Sequence, residues 1–285
     1  MYPNVLSDLP TWGRPPPFAV PPTYMKRPNA PLVACLLVAV ARAASAQSDA
    51  TFAPVPPHQL TIFAGATQSA RLEATASPRT FGGPGFSAAL DYRGTMGSLW
   101  TVGASVGAGY RRLSPLDGPK SGTQQLFDGD VRASLMRRLS ARSGFSVGLA
   151  STTNYTYTEH RYPEPTGRVS HFVFGATALG PAVAYSRSVG RGAVGVELSS
   201  PMIGMVSHPY SDNRTGDGLS RIRVATAADL RGVNGTLRYA PPMKGDWGMV
   251  YAYRFNLLDY KDLQPVRSAS HSLSIGITRR LGGER

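Results

Sequence analysis

Apolar and polar residues alternate along most of the chain with a period of two. In the stretch "GSLWTVGASVGAGYRR", residues 97–112, one alternate set is apolar and ends in aromatic residues, while the other set is small or polar. The apolar set consists of Trp100, Val102, Ala104, Val106, Ala108 and Tyr110. A period of two places successive side chains on opposite faces of an extended strand. The stretch therefore predicts a β-strand with one apolar face.

The same alternation recurs in nine further segments, so that ten strands are predicted in total. These segments are 60–68, 86–94, 126–138, 145–158, 179–189, 192–200, 232–240, 247–258 and 271–281. We find no convincing amphipathic helix between them. The pattern predicts an all-β fold.

The connectors between the predicted strands alternate between two lengths. Short turns lie at 95–98, 140–144, 190–192 and 241–246. Longer polar stretches lie at 69–83, 113–123, 159–170, 202–228 and 259–268. An even strand number with short turns at one end and longer loops at the other is typical of a bacterial transmembrane β-barrel. We therefore predict an up-and-down antiparallel barrel of about ten strands.

The stretch 202–228 leaves the strand number open. Its segment "LSRIRVATA" either extends a strand beyond the membrane or forms an additional hairpin. Barrels of eight or twelve strands are the alternatives.

The composition of the two faces indicates which one meets lipid. The polar face is built from Gly, Ser, Thr and Ala with a few charged residues, and lysine is rare, which suits a narrow lumen better than a solvent-exposed surface. The apolar face carries aromatic residues near the strand ends, where amphipathic rings favour the membrane interface. These interface aromatics are Tyr92, Trp100, Tyr110, Tyr155, Tyr157, Tyr239, Trp247 and Tyr253. The alternative is a soluble barrel or sandwich whose aromatic residues fill a core.

A secretory signal precedes the predicted strands. Residues 25–46 contain Lys26 and Arg27, a short apolar run and an A-x-A motif formed by Ala44 and Ala46, where we expect cleavage. The apolar run is too short to cross a bilayer as a helix. A lipoprotein box ending at Cys35 is the less favoured interpretation.

The signal divides the chain into five segments. Residues 1–24 are Pro-rich and are interpreted as an incorrectly assigned start or a disordered leader, with translation beginning at Met25. After the signal peptide come a short periplasmic segment at 47–57, the barrel at 58–281 and a C-terminal tail at 282–285.

The mature chain resembles Gram-negative outer-membrane β-barrel proteins over nearly all of residues 58–281. The resemblance lies in the strand pattern and in the last strand, "SLSIGITRRL", which is similar to the C-terminal insertion signal of such barrels. Members usually end in an aromatic residue, whereas Leu281 holds the corresponding place here and "GGER" follows. The resemblance implies a location in the outer membrane of a Gram-negative bacterium and a protein that acts as a monomer.

The strong positive charge bears on the choice of partner. The formal net charge is +13. Basic proteins often bind nucleic acid, but these arginines are spread over the strand ends, with no basic helix or zinc motif. We expect no nucleic acid partner, and we expect contacts with outer-membrane lipid, in particular with lipopolysaccharide phosphates. An unknown extracellular ligand is a further possibility, because the loops are rich in Tyr and Arg.

Two inward carboxylates are the first candidates for chemistry. Asp128 and Asp130 lie two residues apart on one strand, and paired carboxylates can activate water. Outer-membrane proteases of the omptin kind are similar in having ten strands and paired acids at the outer rim, with an acid–histidine pair opposite. His208 and Asp212 are the nearest candidates for that second pair, although they lack its spacing. The competing interpretation is that the two aspartates form ion pairs with lumenal arginines, because a buried charge must be paired.

The sequence predicts a charged lumen and no cofactor or metal. The network that would fill the lumen consists of Asp91, Arg93, Arg111, Asp128, Asp130, Arg132, Glu197, Arg238 and Arg254. We expect a non-enzymatic outer-membrane barrel with a structural or surface-binding role. An outer-membrane hydrolase, either omptin-like or acting on lipid, and a narrow pore are the two alternatives.

Overall fold

The computed structural model describes residues 58–73, 77–116, 122–140, 144–162, 167, 169–209, 220–243, 245–261 and 265–282. The predicted leader, signal peptide and periplasmic segment lie outside these residues. So do Asp212, the cleavage residues Ala44 and Ala46, and most of the C-terminal tail.

The described residues form twelve β-strands. They are β1 (His58–Glu73), β2 (Ser77–Met96), β3 (Trp100–Pro115), β4 (Thr123–Arg138), β5 (Phe145–Arg161), β6 (Val169–Val189), β7 (Gly192–Ser199), β8 (Ile203–Pro209), β9 (Ser220–Thr226), β10 (Leu230–Ala240), β11 (Trp247–Tyr260) and β12 (Val266–Leu281). In this part of the chain no helix is long and apolar enough to cross a membrane.

Ten of the strands close into an antiparallel ring. The ring runs from β1 to β7 in chain order and continues through β10, β11 and β12. It closes between β1 and β12, which pair from His58 opposite Leu281 to Glu73 opposite Val266. Closure gives the backbone groups of the ring partners within the sheet, as a structure that crosses a bilayer requires. The predicted all-β barrel of about ten strands is confirmed.

The remaining two strands form a hairpin that leaves the ring. β7 pairs with β6 from Ala182 to Val189, and β8 continues along the same strand from Gly175 to Leu179. Pro201 lies between β7 and β8, where its missing N–H group interrupts the pairing pattern. Beyond this point β8 pairs with β9. The ambiguous stretch 202–228 therefore contains an additional hairpin.

The strands extend further than predicted at the end with the longer connectors. β1 continues to Glu73 and β2 begins at Ser77, so most of the predicted loop at 69–83 is strand. Several outward side chains of such extensions are polar, as at Gln68, Arg112 and Glu159. The outward apolar face that identifies the other strands is interrupted there, although backbone pairing continues. The long polar loops predicted from the sequence are correspondingly shorter.

An apolar belt covers the outside of the ring. Large aliphatic side chains on outward strand positions are exposed on almost every ring strand, including Ile62, Leu90, Val106, Val131, Leu149, Val183, Leu237 and Ile275. A continuous apolar exterior of this kind is the lipid-facing surface of a transmembrane barrel.

Aromatic side chains lie at both edges of the belt. Towards the extended end, Tyr110 contacts Phe86 and Phe127 with ring centroids 5.7 and 4.9 Å apart, and Phe127 contacts Tyr157 at 6.2 Å. We call Phe86, Tyr110, Phe127 and Tyr157 the outer aromatic row. Tyr155 on β5 and Tyr253 on β11 are also outward and exposed.

The opposite edge has its own aromatic residues. Arg137 lies over the ring of Trp100 and Arg279 over that of Trp247, at 5.9 and 5.4 Å. Tyr239 stacks on Tyr251 at 6.4 Å, and the hydroxyl of Tyr92 lies 2.7 Å from Nδ1 of His58. This is the end of the short turns. Because the strands project beyond the belt only at the other end, we assign the short-turn end to the periplasm and the extended end to the outside.

Candidate functional site in the barrel lumen

The inward strand positions bring the predicted charged residues together. All nine of them line one cavity of about 200 Å³ inside the ring. They come from β2, β3, β4, β7, β10 and β11. Strand parity explains the grouping, because residues two apart on a strand face the same side.

Asp91 is at the centre of the largest ion-pair network. Arg238 donates two hydrogen bonds to its carboxylate, Nη1 to Oδ1 at 2.7 Å and Nη2 to Oδ2 at 2.8 Å. Arg93 places Nε 3.7 Å from Asp91 Oδ1 and donates from Nη2 to Glu197 at 3.0 Å. The network joins β2 to β7 and β10 across the lumen. Bidentate pairing is the strongest geometry available to an arginine and a carboxylate.

A second ion pair joins neighbouring strands. Nη1 of Arg111 on β3 donates to Oδ1 of Asp128 on β4. Asp130 also lines the cavity, but among the described residues no arginine or lysine nitrogen lies within 4.0 Å of its carboxylate. The structure thus gives an ion pair to one of the two candidate acids.

Sequence reasoning missed a third ion pair near the outer end. Arg71 donates from Nε and Nη2 to Oε2 of Glu73 at 3.1 and 3.0 Å, and both side chains are almost fully buried. Thr158 Oγ1 lies 3.5 Å from the same oxygen. Arg71 and Glu73 fall in a segment predicted to be loop, so their shared inward parity gave no signal.

Sequence reasoning also missed an inward aromatic ring. Phe63 lies beneath two arginines, with the guanidinium carbons of Arg254 and Arg238 at 4.8 and 5.6 Å from its centroid. Such cation–π contacts stabilise a desolvated guanidinium. Gly276 makes room for the ring, because a Cβ atom there would lie 2.6 Å from Cδ1 of Phe63.

Two clusters of apolar side chains pack in the outer part of the lumen, beside the buried Arg71–Glu73 pair. One cluster contains Phe81, Leu113 and Leu126, and each of these is at most 3% exposed. A second cluster includes Phe174, Leu230, Tyr260 and Val266, together with Val206 and Ala225 from the β8–β9 hairpin. We call the two clusters together the outer plug. A smaller cavity of about 70 Å³ lies between Asp128 and the plug residues Leu113, Leu126 and Phe174.

The candidate histidine lies in the outer plug. The ring of His208 makes an edge contact with Phe174 at 5.8 Å and lies 6.4 Å from the ring of Tyr260. Asp128 is bound to Arg111, and Asp212 lies outside the described residues. Within the described part of the chain, no group of three or more His, Cys, Asp or Glu residues is arranged to hold a metal ion.

Comparison with known proteins gives matches at the level of fold. No family model and no curated protein sequence matches the chain. Among solved structures, the outer membrane protease OmpT of Escherichia coli is similar with a TM-score of 0.51 at 8% identity, covering 81% of this chain and 99% of that one. The translocator domain of the autotransporter NalP of Neisseria meningitidis has a TM-score of 0.43 at 12% identity, covering 88% and 98%. The attachment invasion locus protein Ail of Yersinia pestis has a TM-score of 0.36 at 12% identity, covering 78% and 99%.

The ring of ten strands, the apolar belt and the polar lumen together define a transmembrane β-barrel with the fold of Gram-negative outer-membrane proteins. The resemblance found in the sequence is thereby confirmed. The identity to OmpT is too low for its activity to be carried over to this chain.

Proposed function

We propose that this protein is a non-enzymatic outer-membrane barrel with a structural and surface-binding role, whose lumen is closed towards the outside. The outer plug is the observation that carries the proposal. Leu113, Phe174 and Val266 are each at most 1% exposed within it. Close-packed apolar side chains leave no room for a column of water.

The charged lumen supports a structural role. Asp91, Arg93, Glu197 and Arg238 connect strands that are not neighbours in the ring, and therefore resist deformation of the barrel. A small barrel is filled by its own side chains. Here the ion-paired side chains fill the inner part of the lumen in the same way.

The arrangement of the candidate acids favours this role over hydrolysis. Asp128 is held by Arg111 within the barrel wall, and the ring of His208 packs against Phe174 and Tyr260 in the outer plug. A general base must lie within hydrogen-bonding reach of the proton that it removes. Because its carboxylate is bound to Arg111, Asp128 is not free to act as such a base.

Outward arginines lie at the extended end of the barrel, and we call them the basic outer rim. Contact with lipopolysaccharide phosphates accounts for their position. Arg112 is exposed two residues beyond Tyr110 of the outer aromatic row. Arg267 faces outward at the same end of β12, where its Nε is paired with Asp259 at 3.0 Å. Guanidinium groups bind phosphate oxygens in bidentate geometry. We propose that these arginines meet the phosphates of the outer leaflet and that the barrel is monomeric.

Conductance in a planar lipid bilayer tests the closed lumen. The protein isolated from membranes in detergent should insert without producing discrete current steps. A double variant, Leu113→Ala with Phe174→Ala, should produce such steps, because both side chains fill the outer plug. A matched variant of the lipid-facing belt, Leu149→Ala, should remain silent. Discrete steps from the unmodified protein would establish the narrow pore instead.

A further inference from the structure

The lumenal cavity has more positive than negative groups. Six arginines and four carboxylates line it. Buried charges without partners are costly, and structures normally compensate them. An excess of guanidinium groups around the cavity therefore calls for additional negative charge.

Among the described residues, three of these arginines form no ion pair: Arg138 near the short turns, and Arg132 and Arg254 deeper in the lumen. Among the described residues, neither Arg132 nor Arg254 has an Asp or Glu oxygen within 4.0 Å, although both line the cavity. Nε of Arg132 and Nη2 of Arg254 are buried and make no hydrogen bond. Nε of Arg111 and Nε of Arg238 are likewise buried without a hydrogen bond. The cavity is thus surrounded by N–H donors that need acceptors.

The cavity has the size and the access that a small ligand needs. Its volume of about 200 Å³ compares with a share of ~30 Å³ for one water molecule in the liquid. Arg138, Gly144 and Ser186, which lie near the short turns, are part of its lining. The outer plug closes the opposite end. A ligand would therefore enter from the periplasmic side.

We propose that the lumenal cavity binds a small oxyanion such as phosphate or sulfate, held by Arg132 and Arg254. Guanidinium groups match the oxygens of such anions and bind them with charge-assisted hydrogen bonds. The ring of Phe63 holds Arg254 in place from the other side, at 4.8 Å. Asp130 lines the same cavity, and its carboxylate repels the bound anion.

Calorimetric titration of the protein in detergent, with phosphate and with sulfate against sodium chloride at equal ionic strength, tests the proposal. We expect saturable binding of the oxyanions beyond the effect of chloride. Arg132→Gln and Arg254→Gln should each weaken binding on the order of tenfold, since each removes one charge from the site. Arg137→Gln is the matched control, because Arg137 faces outward on the same strand as Arg132 and should leave the affinity unchanged.

A charge change of opposite sign separates the site from general electrostatics and from misfolding. Asp130→Asn should tighten binding several-fold, because it removes the carboxylate that repels the anion. Absence of oxyanion binding beyond chloride would overturn the proposal. So would an Arg137→Gln variant that weakens binding as much as Arg132→Gln, which would indicate an adventitious ion only. If the arginine variants fail to fold, an unchanged affinity in Asp130→Asn contradicts the proposal by itself.

Discussion

Asp91 shows how the barrel accommodates charge at the scale of single residues. Its carboxylate receives two hydrogen bonds from Arg238 and lies 3.7 Å from Nε of Arg93. A desolvated carboxylate is tolerated only where such partners replace its hydration. The same requirement applies to Asp128, whose ion pair within the described residues is with Arg111.

Replacing Asp128 by asparagine tests that pairing. The variant leaves the guanidinium of Arg111 buried without its carboxylate, and we expect a loss of about 3 kcal/mol in the free energy of unfolding. The measurement is denaturant unfolding of the protein in lipid vesicles. Asp130→Asn is the matched control on the same face of β4. It should cost less, because no arginine in the described part of the chain lies within 4.0 Å of the Asp130 carboxylate. Loss of a peptidase or lipase activity with unchanged stability would instead support the hydrolase.

His160 predicts a pH dependence at the outer end of the barrel. It follows Tyr157 of the outer aromatic row, and its outward neighbours Glu159 and Arg161 are charged, so it lies outside the membrane-spanning part of β5. Burial beside Phe81, at 5.2 Å between ring centroids, lowers the pKa of the His160 imidazole below its ordinary range. The folded state therefore takes up this proton less readily than the unfolded state.

The lowered pKa of His160 determines how the stability of the folded state changes with pH. Stability from His160 is fully present above the unfolded pKa of about 6.5 and is lost as the pH falls through the lower folded pKa. The denaturant midpoint should therefore fall between pH 7.5 and pH 5. His160→Gln should remove part of this dependence, and His171→Gln, at an exposed position, should retain it. An identical pH dependence in the wild type and His160→Gln would contradict the account.

Strand parity explains which lumen residues could be found from the sequence. Asp91 and Arg93 alternate with apolar neighbours, so their inward position followed from the pattern. Phe63 follows Ile62, and two adjacent apolar residues leave the direction of the second undecided. The excess of positive charge in the cavity could not be predicted from the sequence either, because it depends on which arginines reach which carboxylates across the ring.

At the scale of elements, the lipid-facing parts of the strands were predictable and the parts beyond the membrane were not. Lipid imposes an apolar outward face on β3 between Trp100 and Tyr110, and that constraint produces a clear alternation. Beyond Tyr110 the outward face meets water. The outward residue Arg112 is charged, like its inward neighbour Arg111, so the alternation of apolar and polar residues ends there. The chain pairs there through backbone hydrogen bonds, which side-chain patterning does not reveal.

The β8–β9 hairpin should be dispensable for closing the ring. The ring pairs β7 directly with β10, and Oγ of Ser200 donates to the carbonyl oxygen of Gly232 at 2.9 Å, so the two ends of the excursion are close together. Replacing residues 202–229 by a short Gly-Ser linker should leave a folded barrel. Its thermal stability should fall, because Val206 and Ala225 pack in the outer plug. Complete loss of folding, judged by the absence of a compact band on an unboiled SDS gel, would show that the hairpin is part of the closing structure.

At the scale of the whole molecule, the two ends of the lumen differ. The outer end is filled by packed apolar residues, while the inner part holds a charged cavity that reaches the short turns. The exterior combines an apolar belt with aromatic edges and a basic outer rim. These features are those of a barrel embedded in lipid, and they support the proposal that its lumen is closed to the outside and accessible from the periplasm.

Heat-modifiability on an SDS gel tests the central claim most directly, namely that the apolar exterior faces lipid. The protein is folded into detergent and run with and without boiling, and its circular dichroism is recorded. We predict a compact band that shifts on boiling and a spectrum rich in β-structure. A protein that is soluble and monomeric without detergent would contradict the account, because the exposed apolar belt could not then be in contact with water.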